Sequence, residues 1–100
     1  MVSLLFETIQ FLQKNGKRLD DILYITDGCN FRRVNKKILQ SLLNESYDNG
    51  YGCVEINPEL KLVGKDFWLE RWTYDGSEGW AFKQYPKYVE TNFKTIMIRE

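Results

Sequence analysis

The side chains of this chain that could do chemistry are Ser77, Glu70 and Glu78, the acidic run Asp20-Asp21 with Asp27, the thiols Cys29 and Cys53, and the basic cluster Arg32, Arg33, Lys36 and Lys37. Ser77 is a useful nucleophile only beside a base, and the chain has no histidine to serve as one. Glu70 and Glu78 are not spaced as the paired carboxylates of acid–base catalysis. Asp20, Asp21 and Asp27 lack the spacing and the glycine of a calcium loop. Cys29 and Cys53 fit no zinc pattern, and two cysteines do not make a disulfide scaffold, so free and partly buried thiols in a reducing cytosol are expected. The phosphate-binding patterns GxxxxGK and GxGxxG are missing from the sequence. The expectation is a protein that is not an enzyme, with no catalytic, cofactor-binding or metal-binding residues and no cofactor.

The basic cluster is the one feature that points to an anionic partner. Lys36 and Lys37 would open a helix at its positive end, where cations are disfavoured, and Arg32 and Arg33 would point to opposite faces of a short strand. A nucleic acid or an acidic protein would suit these four residues, as would a solvated edge that discourages strand pairing. The whole chain argues against nucleic acid as the main partner. Lys+Arg and Asp+Glu stand at 14 each, whereas gripping a phosphate backbone normally needs a basic surplus.

One hundred residues suffice for one domain over residues 1–100 with its own core. Hydrophobic content of 43% and charged content of 28% are globular values, and no stretch reaches transmembrane length. Glu7 interrupts the apolar start and no basic region precedes it, so a signal peptide is not expected and the location is read as cytoplasmic.

Val2, Leu5, Phe6, Ile9 and Leu12 recur at helical spacing, with Leu4 and Phe11 widening the face. Ser3 can cap the start and Gly16 the end, so a helix is expected over 3–15. Residues 22–26 read as a strand ending at Asp27-Gly28, and Phe31–Val34 as a short returning strand. A second helix is expected from Asn35 to Tyr47, with Ile38, Leu39, Leu42 and Leu43 on one face. Cys53–Ile56 is a candidate short strand, and Leu60–Val63 a better one. Residues 86–100 read as a strand over Phe93–Ile98 or as a flexible tail. The fold class is α+β: two helices packed on one face of a small, mainly antiparallel sheet that ends in an aromatic hairpin.

That hairpin, Phe67–Lys83, holds all three tryptophans. A loop at Gly76-Ser77 or over Asp75–Glu78 pairs Glu70 with Lys83 and Trp72 with Ala81. A turn at Asp75-Gly76 shifts the partners by two and keeps the faces. One face, with Phe67, Leu69, Arg71, Thr73, Trp80 and Phe82, is expected to be the core side. Arg71 there would stack near Trp80 and Phe82 while its head reaches water. The other face carries Trp68, Glu70, Trp72, Tyr74, Gly79, Ala81, Lys83 and Tyr85. Contiguous exposed aromatics mark binding surfaces, so Trp68, Trp72, Tyr74, Tyr85, Glu70 and Lys83 are the candidate protein-binding residues, unless the tail or Tyr51 covers them.

The motif Leu69-Glu70-Arg71 with Tyr74-Asp75-Gly76-Ser77-Glu78, together with Gly16-Lys17, Leu19-Asp20-Asp21, Tyr47–Gly52 and Leu62-Val63-Gly64, resembles a family of small uncharacterised proteins. These occur in phages and integrative mobile elements of Gram-positive bacteria. The likeness covers roughly residues 10–85. The family pattern has His at the position of Trp72, Glu at Ala81 and Trp at Gly79, so this chain's second face is more apolar. No catalytic residues carry over. The resemblance implies a mobile-element origin and a protein that binds and blocks a host or defence protein, an anti-CRISPR being one version. Two alternatives stand beside it. One is a nucleic-acid-associated accessory protein using the basic patch. The other is a structural homodimer, joined through the aromatic face or by pairing of residues 93–98. No membrane partner is expected.

Overall fold

The computed structural model describes residues 1–50, 53–86 and 96. It begins with a two-residue strand, β1 (Val2–Ser3), and a helix, α1 (Leu4–Lys14). The Ser3 hydroxyl accepts the Phe6 N–H at 3.2 Å and so caps the helix start. Gly16, at φ +73°, closes its end: Gly16 N–H donates to the Gln13 carbonyl and Lys17 N–H to that of Leu12. That reciprocal pair is the Schellman arrangement, which favours glycine because other residues strain at positive φ. Leu4, Thr8 and Leu12 are fully buried, and Val2, Leu5, Ile9 and Phe11 of the expected face pack against the core. Leu4 rather than Phe6 enters the core, and Phe6 faces solvent.

A 3-10 turn (Leu19–Asp21) leads into β2 (Ile22–Thr26), which pairs with β3 (Phe31–Arg33). The helix α2 (Lys36–Leu42) follows, its first turn capped by the Asn35 side chain at 2.8 Å from the Ile38 N–H. It stops five residues short of the expected Tyr47. The chain there turns out to form β4 (Ser46–Tyr47), antiparallel to β1, and Leu4 N–H donates to the Glu45 carbonyl at 2.8 Å. This small ribbon ties the start of α1 to the segment after α2.

Three strands complete the main sheet: β5 (Lys61–Gly64), β6 (Phe67–Tyr74) and β7 (Ser77–Gln84). The order is β3-β2-β5-β6-β7, antiparallel throughout. A bulge at Leu23 separates the pairs Ile22↔Gly64 and Tyr24↔Val63, so Ile22 and Ile25, three apart, both face the core. Leu4 and Leu12 from α1, Leu39 from α2, Leu43 just after it, and Leu62, Leu69, Phe67 and Trp80 from the sheet make one buried cluster. The fold is therefore α+β, with the two helices on one face of the sheet.

The hairpin turn is Asp75-Gly76, with φ +50° and +83°. Two consecutive left-handed residues match the twist of paired strands, and Asp-Gly is a preferred sequence for that turn. Of the turn placements the sequence allows, this is the Asp75-Gly76 one, and its register replaces the Glu70–Lys83 and Trp72–Ala81 pairs of the other two. Trp72 faces Gly79, Glu70 faces Ala81 and Trp68 faces Lys83, so Glu70 and Lys83 are diagonal neighbours rather than partners. The division into faces is unchanged, because a shift of two preserves the pleat. Cys53–Ile56 forms no strand, and its backbone serves a different purpose, described below. The expected strand over 93–98 and the tail's relation to the aromatic face lie outside the described residues.

Between β5 and β6 the Phe67 ring lies directly over Gly64, where a Cβ would collide with the ring edge. Phe67 is itself buried and stacked on Phe82 at 5.6 Å. Gly64→Ala is therefore expected to lower stability by about 1–3 kcal/mol in urea unfolding, the usual cost of overpacking. An unchanged midpoint would mean the ring has room to move.

Candidate functional site

The outer face of the sheet is built by alternation across all five strands. One transverse row runs Arg33, Tyr24, Val63, Trp68, Lys83, and the next runs Phe31, Thr26, Lys61, Glu70, Ala81. Trp72 over Gly79 and Tyr74 beside Ser77 extend it toward the turn. The six candidate protein-binding residues, Trp68, Glu70, Trp72, Tyr74, Lys83 and Tyr85, thus lie on one side of the hairpin. Two aromatics from other strands join them, Phe31 and Tyr24. The alternation of β2 and β3 carried that signal, yet sequence reading placed those residues only as strand formers.

Relative exposure is 73% for Phe31, 79% for Tyr74, 65% for Tyr85 and 43% for Trp72. Trp68, Trp72 and Tyr85 are held in place by contacts with their neighbours. Trp68 and Tyr85 pack at 5.3 Å between ring centroids with a 58° tilt. The Trp68 indole N–H donates to Glu70 Oε1 at 2.9 Å. Trp72 lies across Gly79, where a Cβ would come within 2.9 Å of its ring, and its N–H reaches the Trp80 carbonyl at 3.1 Å. A side chain at position 79, such as the Trp of the resembled pattern, would have to displace that ring. Arg33 sits over the Tyr24 ring at 5.7 Å. A shallow cleft of about 370 Å³ opens among Phe31, Val63, Trp68 and Tyr85, rimmed by Glu59, Glu70 and Lys61.

The inner face holds what sequence reading missed. Arg71 was expected to reach water, but its side chain is 0% exposed, as is that of Glu78. Arg71 Nη2 donates to Glu78 Oε1 and to the Tyr47 hydroxyl, both at 3.0 Å. Nη1 stands 3.6 Å from Glu7 Oε1, which also accepts the Tyr47 hydroxyl at 2.5 Å. The guanidinium lies 4.7 Å from the Trp80 ring and 5.4 Å from that of Tyr47. Among the described residues Nε and Nη1 have no hydrogen-bond partner, so the buried charge is held there by two carboxylates and two rings without being fully saturated.

Glu78 has a second task. Its Oε2 accepts the Glu55 N–H at 2.8 Å and its Oε1 the Ile56 N–H at 3.2 Å, while its own N–H donates to the Asn49 carbonyl at 3.1 Å. The expected strand at 53–56 is thus a segment whose donors are met by a side chain. Arg71 and Glu78 lie on the same inner face of adjacent strands in a register that pairs Arg71 with Trp80 and Thr73 with Glu78. Leaving either charge buried without its partner would cost about 3–5 kcal/mol.

α1 approaches the same region through Trp80, whose indole N–H donates to Thr8 Oγ1 at 2.9 Å, while Thr8 donates to the Leu4 carbonyl at 2.7 Å. An open cleft of about 620 Å³ runs between α1 and the hairpin, lined by Glu7, Phe11, Lys14, Asn49, Trp72 and Trp80 among others.

The remaining candidates do not converge. Asp27 accepts the N–H groups of Cys29 and Asn30 at 2.9 and 2.7 Å. Those bonds, Asn30's first, hold its carboxyl below the usual range. Asp21 accepts the Arg18 N–H, and Asp20 pairs with the Arg18 guanidinium at 3.5 Å. These acids close turns. Among the described residues no group of three or more His, Cys, Asp or Glu is arranged to hold a metal, and no helix is long and apolar enough to cross a membrane. Cys29 and Cys53 are free, and both are exposed rather than partly buried as expected. Arg32, Arg33, Lys36 and Lys37 are all exposed, but Arg32 falls in the row of Ile25 and Arg33 in the row of Tyr24, so the pair divides between the two faces.

The architecture and site define a small α+β domain with an ion-anchored inner face and an aromatic outer one. Comparison with protein-family models, with curated proteins and with solved structures finds no match in any of the three.

Tyr47 gives the buried cluster a pH signature. Burial first, then its hydrogen bond to Glu7, pushes its hydroxyl up to about 12. An unfolded tyrosine ionises near pH ~10. The favoured neutral form therefore supports the fold fully below that value, and its contribution falls as pH rises from about 10 to 12, where the unfolded chain binds fewer protons. The stability advantage of the wild type over Tyr47→Phe is expected to shrink across that window in urea unfolding. A constant difference would contradict it.

Proposed function

We propose that this chain is a non-enzymatic protein-binding module that docks its outer sheet face on a host or defence protein. The observation that carries this reading is the run of aromatics from Tyr74 through Trp72 and Trp68 to Tyr85 and Phe31, exposed on one side of a rigid sheet. Exposed rings interspersed with single charges, here Glu70 and Lys83, are the composition of protein-docking surfaces. Pre-positioned rings also lose little freedom on binding, which favours affinity. The resemblance of the Leu69-Glu70-Arg71 and Tyr74–Glu78 motif to phage and mobile-element proteins supports an inhibitory role, with anti-CRISPR activity as one form. A nucleic-acid reading has less support, since Arg32 and Arg33 diverge and Arg33 is engaged with Tyr24.

Tyr74 and Lys83 are exposed and take no part in the core, and threonine keeps strand propensity at both positions. A Tyr74→Thr/Lys83→Thr variant is therefore expected to keep its Tm within about 4 °C of wild type. Loss of these exposed contacts should weaken capture of its host protein, followed by quantitative mass spectrometry of a Gram-positive lysate, by about tenfold or more. Equal capture of the same proteins by both forms would overturn the reading.

A further inference from the structure

We infer that the cleft on the outer face receives an arginine side chain of the protein partner; this rests on the docking reading above and adds the chemistry of the contact. The cleft, about 370 Å³, is sized for a side chain rather than a large ligand. Trp68 and Tyr85 form a wedge, 5.3 Å between centroids and tilted by 58°, and Phe31 lines the same cleft. Tilted rings present π faces to a cation, and arginine is the cation most often found over them.

Charge points the same way. Glu59 and Glu70 rim the cleft against a single cation, Lys61, among the described lining residues. The Trp68 indole N–H fixes Glu70 through Oε1, which leaves Oε2 as an oriented acceptor. Glu59 is set beside the β2–β3 turn, its Cβ packed where a Cβ of Gly28 would stand. An apolar occupant would strip water from two carboxylates without replacing it, and an acidic one would be repelled. A guanidinium stacks on a ring and offers a planar fork to a carboxylate at once, which an ammonium does not. The chain uses this combination in its own interior, where Arg71 lies over Trp80 while bonded to Glu78.

The test is an NMR titration of the labelled protein with the blocked peptide Gly-Arg-Gly and with its citrulline counterpart, which keeps the shape and removes the charge. The arginine peptide is expected to shift the Trp68 indole resonance and to bind at least about fivefold more tightly than the citrulline peptide. Glu70→Gln should weaken it, and Lys61→Met, which removes the opposing cation, should tighten it. Equal binding of both peptides, or shifts confined to Trp72 and Trp80, would overturn the inference. Neither Tyr74 nor Lys83 lines the cleft, so the two claims fail separately. Host capture that depends on Tyr74 and Lys83 with no preference for arginine removes the arginine contact alone; capture indifferent to them removes the docking reading itself.

Discussion

A charge buried without water must be answered by the fold, and Arg71 is the charge on which this structure depends. Its guanidinium draws in Glu78 from the neighbouring strand, Glu7 from α1 and the Tyr47 hydroxyl from β4, and it is flanked by the rings of Trp80 and Tyr47. Such a cluster adds little net stability over an apolar core of the same shape. What it supplies is position, because the groups that answer the charge come from three separate elements, α1, β4 and β7. Glu78 extends the tie by accepting two backbone N–H groups from residues 55 and 56, so one carboxylate joins the neighbouring strand to an irregular segment.

That arrangement explains how one hairpin serves two environments. Its inner side, Phe67, Leu69, Arg71, Glu78 and Trp80, is committed to the core and the ion cluster. Its outer side is left with rings that the sheet holds but does not cover among the described residues. Two glycines make the division workable: Gly64 gives Phe67 its place beneath the sheet, and Gly79 gives Trp72 a surface to lie on. The result is an exposed aromatic surface whose side chains are already oriented.

Much of this was legible in the sequence because the signals were local. Ser3, Gly16 and Asn35 act through backbone donors and torsions within a few residues, and each cap falls where expected. The alternation along β6 and β7 separates core from surface whichever turn is chosen, because every placement the sequence allows keeps the same faces. The ion cluster was not legible, because its members are distant in sequence: Glu7 and Tyr47 are 40 residues apart, and Arg71 is 24 beyond Tyr47. The placements with Glu78 in or beside the loop hide its inward direction, whereas the Asp75-Gly76 turn puts it in the strand opposite Thr73. The shortened α2 and the missing strand at 53–56 share that cause. In each, a long-range pairing, β1 with β4 or Glu78 with the 55–56 backbone, outcompeted local propensity.

Amide hydrogen exchange at Glu55 and Ile56 tests the organising role of the buried cluster most directly. Both lie outside every helix and strand, and their N–H groups are held only by the Glu78 carboxylate among the described residues. Their exchange is expected to be slower than that of Cys53 and Val54 by at least about tenfold, since protection follows the stability of the bond that holds the amide. Exchange of all four at the rate of an open loop would contradict the account.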